Sequence, residues 1–588
     1  RFPAWRQVYS RLAGEAAPFG VLPARGQRSR RFPPAPGEEG DVLQGQSTPS
    51  GLRAWLDRNV VELGRQMRWS YLPPLMVYVA AGVSGLTGIV GTFFVKDYLG
   101  LSAAFLAALG FWAGIPWALK MPIGHLVDLL WRFKGVLVFV GAGLITASLS
   151  IMLALLTERA VMEAVMPVDA WYVASVLLAP IGYVLQDVVA DAMTVEAVPR
   201  VDAAGEPIDA AARKLMEGAM ETRGRIAGSG GGVFVSLLNV YVFDGVAKMS
   251  VEAKLAAYVR IYEWALLIPV VSVLGVVLAA YLKRRAVRRL TGGGIDARAA
   301  HRLLEGEVTR TEPNLWILGG SIVFVVFTVV LGLSDVPYDQ EIVFAGSMAI
   351  VLFLMYRLVL VLDAPARRVL VGTAIVIFVY RAMPTPGAGQ TWWMIDRLGF
   401  DQQFLAVLSL ISSALALVGL FLFRRFMAER SIAVVVVVLT LVASALYLPI
   451  IGMYHGLHEW TAALTGGVVD ARFIALVDTA LESPLGQVAM VPMLAWIANS
   501  APAGLKATFF AVMASFTNLA LSASQLGTKY LNEWFVVTRE VKDAVTGAVQ
   551  VPADYSALGE LMLTAMLIGL LAPLAAVAVV RLARLRSA

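Results

Sequence analysis

The ionisable residues that could do chemistry in this chain lie inside long apolar runs. Asp187 and Asp191 stand four apart in Gln186-Asp187-Val188-Val189-Ala190-Asp191-Ala192-Met193-Thr194-Val195-Glu196, so they share one face of a helix. Two carboxylates this close in a low dielectric resist ionising together. Such a pair can carry a proton or bind the cationic edge of a small molecule. The plainer alternative is pairing with Arg200, Arg223 or Arg225 near a membrane surface; Asp187 is the deepest of the acids and the better candidate for chemistry. Lys120 lies between Pro116 and Pro122. A lysine inside a span costs about 2.5–3.5 kcal/mol on insertion scales, so it should face a partner or water, unless its stem carries the ammonium to the headgroups. Asp478 and Glu482 form a second acidic pair at the same spacing. Arg381 precedes Met383-Pro384-Thr385-Pro386-Gly387-Ala388-Gly389-Gln390-Thr391-Trp392-Trp393. Prolines and glycines at this density break a membrane helix, and broken helices line cavities. Trp392 and Trp393 offer flat surfaces for stacking a planar ring, or belong to an interfacial aromatic belt. Lys120, Asp187, Asp191, Arg381, Trp392, Trp393, Asp478 and Glu482 thus form the expected path for a solute and protons.

Two further groups read as mechanical. Gly124, Asp128, Arg132 and Lys134 follow one another at the end of an apolar run. The glycine permits close helix approach; the aspartate can cap the next helix and pair with the loop cations, as a latch that breaks when two bundles rock. Gly224, Gly228 and Gly232 form a small-residue stripe for tight helix packing. The glycines of this segment are no phosphate loop, because no strand precedes them and no Lys-Ser/Thr follows. The chain has no cysteine and only four histidines, none at metal-ligand spacing, so a thiol or zinc-thiolate site is excluded and no metal or other cofactor is called for. No nucleophile–base set is visible, so an enzyme is not expected.

The elements that must position these residues are membrane helices. Hydrophobic residues make up 58% of the chain and charged ones 15%, and apolar segments near the 20 residues needed to span a bilayer fill it from Tyr71 onward. Fourteen such segments are expected, near 72–95, 102–130, 135–157, 171–198, 225–247, 258–283, 313–335, 341–362, 369–395, 402–424, 431–454, 470–499, 505–530 and 557–582. Their order predicts an all-α polytopic protein: a six-helix bundle over 72–283, a basic cytoplasmic loop over 284–312, an inserted helix pair over 313–362 and a second six-helix bundle over 369–584. Residues 1–50 read as a disordered basic segment without the apolar stretch of a signal peptide. Residues 51–71 read as an amphipathic lead-in helix. Arginines and lysines concentrate in alternate loops, including 199–225, 283–312, Arg367-Arg368, Arg424-Arg425 and the C-terminus. This positive-inside pattern predicts cytoplasmic termini and explains the +6 net charge without nucleic acid. Membrane lipid is the expected surrounding.

Ala179-Pro180-Ile181-Gly182-Tyr183-Val184 resembles Ser483-Pro484-Leu485-Gly486-Gln487-Val488, at the fourth helix of each bundle. Parallel six-helix repeats build the major facilitators. Ile115-Pro116-Trp117-x-x-Lys120-x-Pro122-x-Gly124-x-x-x-Asp128, Asp187-Val188-x-x-Asp191-Ala192-x-x-x-Glu196, Leu398-Gly399-Phe400-x-x-x-Phe404-Leu405 and Ala507-Thr508-Phe509-Phe510-Ala511-x-x-x-Ser515-x-x-Asn518 together resemble the folate–biopterin transporter family, a branch of that superfamily, over residues 72–530. The resemblance implies alternating-access movement of pterins, folates or related organic solutes, coupled to protons, with Lys120, Asp187, Asp191 and Arg381 lining the central path in a bacterial inner membrane. The inserted pair lies outside a minimal twelve-helix carrier. It raises the alternative of a non-transporting assembly factor or bound subunit of a membrane bioenergetic complex, with 313–362 docking a membrane-protein partner.

Overall fold

The computed structural model describes residues 67–588 except 121–122, 125–126, 128–132, 200–207, 306–314, 333, 335, 361, 424–425, 427–429, 487, 489–505, 543–548, 586 and 588. The expected segment 1–50, and nearly all of the lead-in helix over 51–71, lie outside the described residues, as do Asp128 and Arg132. The first bundle contains α1 (Leu72–Val83), α2 (Gly88–Tyr98), α3 (Ala103–Ala118), α4 (Lys134–Thr157), α5 (Val168–Ala197), α6 (Ala210–Val242), α7 (Val251–Ala265) and α8 (Leu267–Gly292). A charged helix, α9 (Ala297–Glu305), leads to the inserted pair α10 (Leu315–Gly332) and α11 (Asp339–Val359). The second bundle holds α12 (Ala364–Arg381), α13 (Ala388–Asp396), α14 (Gln402–Leu422), α15 (Ile432–Tyr454), α16 (Ala471–Glu482), α17 (Lys506–Trp534) and α18 (Leu558–Leu582). Nine helices among the described residues are long and apolar enough to cross a membrane, beside two shorter apolar ones.

Local chemistry explains the starts of these helices. The side chains of Ser102, Ser250, Asp363, Ser431 and Asp470 each accept a hydrogen bond from a backbone N–H in the first turn of α3, α7, α12, α15 and α16, which satisfies a donor with no partner inside the helix. Pro73 and Pro74 open α1, where a missing N–H costs nothing. Two expected loops are largely helical instead. Residues of 199–225 join α6 from Ala210, and residues of 283–312 extend α8 to Gly292 and form α9. Both segments are rich in Ala, Arg, Lys and Glu, which favour helix without any apolar face. One small departure from all-α structure sits between α17 and α18, where β1 (Val541–Lys542) pairs antiparallel with β2 (Val549–Val551).

Close helix crossings hold the first bundle together. A Cβ on Gly82 of α1 would lie 2.1 Å from the carbonyl oxygen of Gly228 on α6, and one on Gly141 of α4 would lie 2.6 Å from that of Gly182 on α5. Only glycine fits at such distances, and membrane helices pack this way because lipid supplies no hydrophobic drive. The two bundles meet along two seams, α3 against α17 and α6 against α14. On the first seam Asn518 donates to the Trp117 carbonyl at 2.9 Å, and Gly110 and Gly114 lie against Gln525 and Ser522. On the second, Ser236 and Ser413 hydroxyls stand 3.4 Å apart. The inserted pair packs over the first seam, where Gly332 meets Trp112 of α3 and Glu341 reaches Lys529 at 3.1 Å and Tyr530 at 2.5 Å on α17. Outward faces stay apolar: Val270, Leu274 and Val277 of α8 recur along one exposed stripe, a surface suited to lipid.

Candidate functional site

Lys120 follows the end of α3, where Pro116 and the turn at Leu119 interrupt the helix. Its ammonium lies 2.6 Å from Asp187 Oδ2 and 3.0 Å from Asp191 Oδ2, both on α5. The one-turn spacing of the acids lets a single cation bridge them. The Tyr78 hydroxyl of α1 donates to the free Asp191 oxygen at 2.6 Å. Tyr78 in turn depends on Gly224 of α6, since a Cβ there would come within 2.8 Å of its ring. Gly228 carries the Gly82 crossing, and Gly232 faces Ser413 across the second seam at 3.7 Å. So the glycine stripe both packs the bundle and leaves room for a site tyrosine. The cluster remains open to water, with 45% of the Asp191 side chain exposed. Arg225 lies within electrostatic reach of Asp187. Toward the helix end, Lys134 and Glu196 pair at 2.5 Å, and a Cβ on Gly124 would lie 3.9 Å from the Val188 side chain.

The second bundle places its acids differently. Asp478 and Glu482 lie on the stripe of α16 that also carries the buried Ala471 and Ala475, whereas Phe473, Val477 and Leu481 face outward. Glu482 is exposed despite its place on the inward stripe. The Tyr380 and Tyr447 hydroxyls stand within electrostatic reach of it, and Tyr447 donates to Gln390 at 2.6 Å. Among the described residues neither acid has a cation within salt-bridge distance.

The expected break in the 369–395 segment is present. α12 ends at Arg381, half-buried at the break, and α13 starts at Ala388, with Gly387 at φ 74°. A stripe on α17 satisfies the freed backbone: Ser524 donates to the Met383 carbonyl at 2.5 Å, Thr528 accepts from Thr385 N–H at 3.0 Å, and Asn532 donates to the Pro386 carbonyl at 3.2 Å. Irregular backbone at membrane depth needs such partners. Trp392 and Trp393, only 2% and 5% exposed, are packed away from open space in this conformation. Arg539 covers the Trp392 ring at 4.5 Å, and Tyr454 leans on Trp393 at 5.8 Å.

Arg539 belongs to a seal that the sequence does not mark. Its Nε and Nη1 donate to the Lys96 and Leu101 carbonyls of the first bundle at 2.8 and 2.7 Å. Burial pushes its guanidinium down from the ordinary value, chiefly against the attraction of Asp97. Lys96 pairs with Asp396 at 2.6 Å, and the Tyr555 hydroxyl donates to the same carboxylate at 2.6 Å. Gln402 donates to Tyr258 at 2.8 Å and Gln403 to Asp244 at 2.8 Å. All these contacts join the bundles at the end that carries the β1–β2 hairpin. Adjacent charges at the ends of apolar runs are the available signal, but a span end carries such charges whether or not they bridge bundles.

Two bundles joined at one end around inward-facing charged residues define a polytopic membrane protein of major facilitator fold. Solved structures agree in fold: a mutant of the nucleoside transporter NupG aligns with a TM-score of 0.50 at 11% identity, covering 87% of this chain and 99% of its own. A bacterial homologue of the human drug peptide transporters PepT1 and PepT2 gives 0.50 at 14%, covering 88% and 98%. Residues 317–586 match the BT1 family. A folate-biopterin transporter of Synechocystis is 24% identical over 498 residues, 84% of this chain and 80% of that protein. Folate transporter 2 of Plasmodium falciparum is 24% identical over 160 residues, 27% of this chain and 34% of its own. Over these stretches the chain is similar to the BT1, or folate–biopterin transporter, family.

Proposed function

We propose that this protein carries a folate-like, pterin-like or related planar organic anion by alternating access, coupled to protons. The observation that carries the reading is Lys120 clasped by Asp187 and Asp191 beside the first seam. A cation held by two acids needs only one of them for neutrality. An incoming carboxylate can therefore take one place beside Lys120, and the displaced aspartate then accepts a proton. Loss of the solute reverses the exchange, which ties solute to proton. Asp478 and Glu482, with no cation beside them among the described residues, give the second bundle a place for a further proton or for the amino edge of a pterin. Arg381 at the helix break supplies a second cation of the path, and the two tryptophans become available to a ring only when the sealed end opens. Release at that end requires Lys96 to leave Asp396 and Arg539 to leave the Lys96 and Leu101 carbonyls. By the distribution of basic loops the sealed end faces outward and both termini are cytoplasmic; the cyanobacterial relative favours a bacterial cell membrane as the bilayer. Asp128 and Arg132 would latch the opposite end with Gly124 and Lys134.

Uptake into proteoliposomes under an imposed proton gradient tests this reading. Radiolabelled folate, a small pterin and an unrelated anion are offered to wild type and to Asp187→Asn. Gradient-driven uptake of a pterin or folate, lost in the variant, is expected. Uptake with unchanged pH dependence in Asp187→Asn would remove the proton role. No flux from folded protein, with stable co-purification of a large membrane complex, would favour the assembly-factor alternative and a partner on the inserted pair.

A further inference from the structure

A pit of about 390 Å³ opens at the sealed end, between the bundles and apart from the Lys120 cluster. Its size falls within the range of small-molecule sites. The first bundle lines it with Asp97 and Tyr98 of α2 and with Lys254 and Tyr258 of α7; the second lines it with the loop before α14, including Phe400 and Asp401. The charges around it sort into satisfied and unsatisfied ones. Lys96 turns to Asp396 at 2.6 Å and stands 3.6 Å from Asp97. Asp401 accepts from Phe404 N–H at 2.8 Å and faces Arg472 at 3.4 Å. Lys254 forms no ion pair among the described residues, though it lies within electrostatic reach of Asp97. Asp97 is exposed into the pit, with 44% of its side chain open. The pit thus holds one anion paired only at 3.6 Å and one cation with no ion pair among the described residues, beside the exposed ring of Tyr98.

We propose that this pit is a second ligand site, for a small zwitterion with a flat ring. The ligand's ammonium meets Asp97, its carboxylate meets Lys254, and its ring lies against the exposed ring of Tyr98. A lone anion or a lone cation would satisfy one charge and leave the other unchanged, so the matched pair sets the specificity. Both bundles contribute to the walls, and Gln402 already bridges to Tyr258 beneath them at 2.8 Å. A bound ligand adds contacts that exist only while this end is closed. It therefore favours the closed state, as any ligand shifts a population by its differential affinity.

The test is direct binding to the purified full-length protein by calorimetry, with L-phenylalanine, phenylacetate and phenethylamine as probes. L-Phenylalanine is expected to bind saturably, and each single-charge probe at least tenfold more weakly. Asp97→Asn and Lys254→Met should each weaken L-phenylalanine at least tenfold. Both side chains are open to the pit rather than packed in the core, so thermal unfolding of these variants should match wild type. Absent L-phenylalanine binding, equal binding of phenylacetate, or affinity unchanged in both variants would each overturn the proposal. Unchanged affinity would place the probe elsewhere, and none of these outcomes bears on the role of Asp187.

Discussion

Asp187 and Asp191 in the first bundle and Asp478 and Glu482 in the second share the same helical spacing, yet they meet opposite surroundings. The first pair is closed around Lys120 and steadied by Tyr78. The second has no cation beside it among the described residues and stands within electrostatic reach of Tyr447 and Tyr380. Depth differs as well. Counted from the hairpin end at a rise of 1.5 Å per residue, Asp187 lies about 28 Å along α5, but Glu482 only about 17 Å along α16. Spacing gives two carboxylates a common face; the neighbours on other helices decide whether that face is an ion-pair clamp or an open acid site. The internal repeat supports this distinction. Asp187 follows Pro180, whereas Glu482 precedes Pro484, so the two pairs are not copies of one ancestral site.

The contrast can be broken at its strongest point. Lys120→Met removes the cation that both acids share, so uptake should fall at least 100-fold and stability by about 1–3 kcal/mol, read by transport and thermal unfolding. Adding Asp187→Asn to Lys120→Met should recover much of the stability and none of the uptake. If Lys120→Met unfolds no earlier than wild type, the clamp is not a structural element. Neutralising the open pair should do the reverse. Asp478→Asn with Glu482→Gln is expected to keep the melting temperature and to lose at least tenfold of gradient-driven uptake, while exchange without a gradient persists. Equal loss of both activities would make the two acid pairs equivalent. At the sealed end, Arg539→Ala removes two charged hydrogen bonds and a cation–ring contact, and should cost about 2 kcal/mol. It should also raise labelling of a cysteine placed at Trp392, because that position loses the cover of Arg539. The smallest effect is expected for Lys134→Met. Glu196 is well exposed, and an ion pair of that kind contributes at most about 1 kcal/mol.

Much of this site is legible in the order of the residues alone. Lys120, Asp187 and Asp191 each stand out because charges in apolar runs are costly, and the fold joins them in one cluster. Gly224 is legible as part of a packing stripe, but its service to Tyr78 is not, because a tyrosine in a span carries no cost to flag it. The break at Met383–Gly387 is legible from its prolines and glycines; the Ser524, Thr528 and Asn532 stripe that satisfies it is not, because those residues lie on another helix. Trp392 and Trp393 read either as stacking surfaces or as part of an interfacial belt, and here Arg539 and Tyr454 cover them. Lys96, Asp396, Arg539 and Tyr555 carry no usable mark.

The sequence by itself determined that this chain is a bundle of membrane helices, since hydrocarbon admits only segments that satisfy their own backbone. It also determined which residues are too costly in lipid to be incidental. Tertiary structure alone decided which charges neutralise one another and which stay open. It also decided which end of the carrier is sealed. Those outcomes depend on distances of a few ångströms between helices hundreds of residues apart, and no local pattern encodes them.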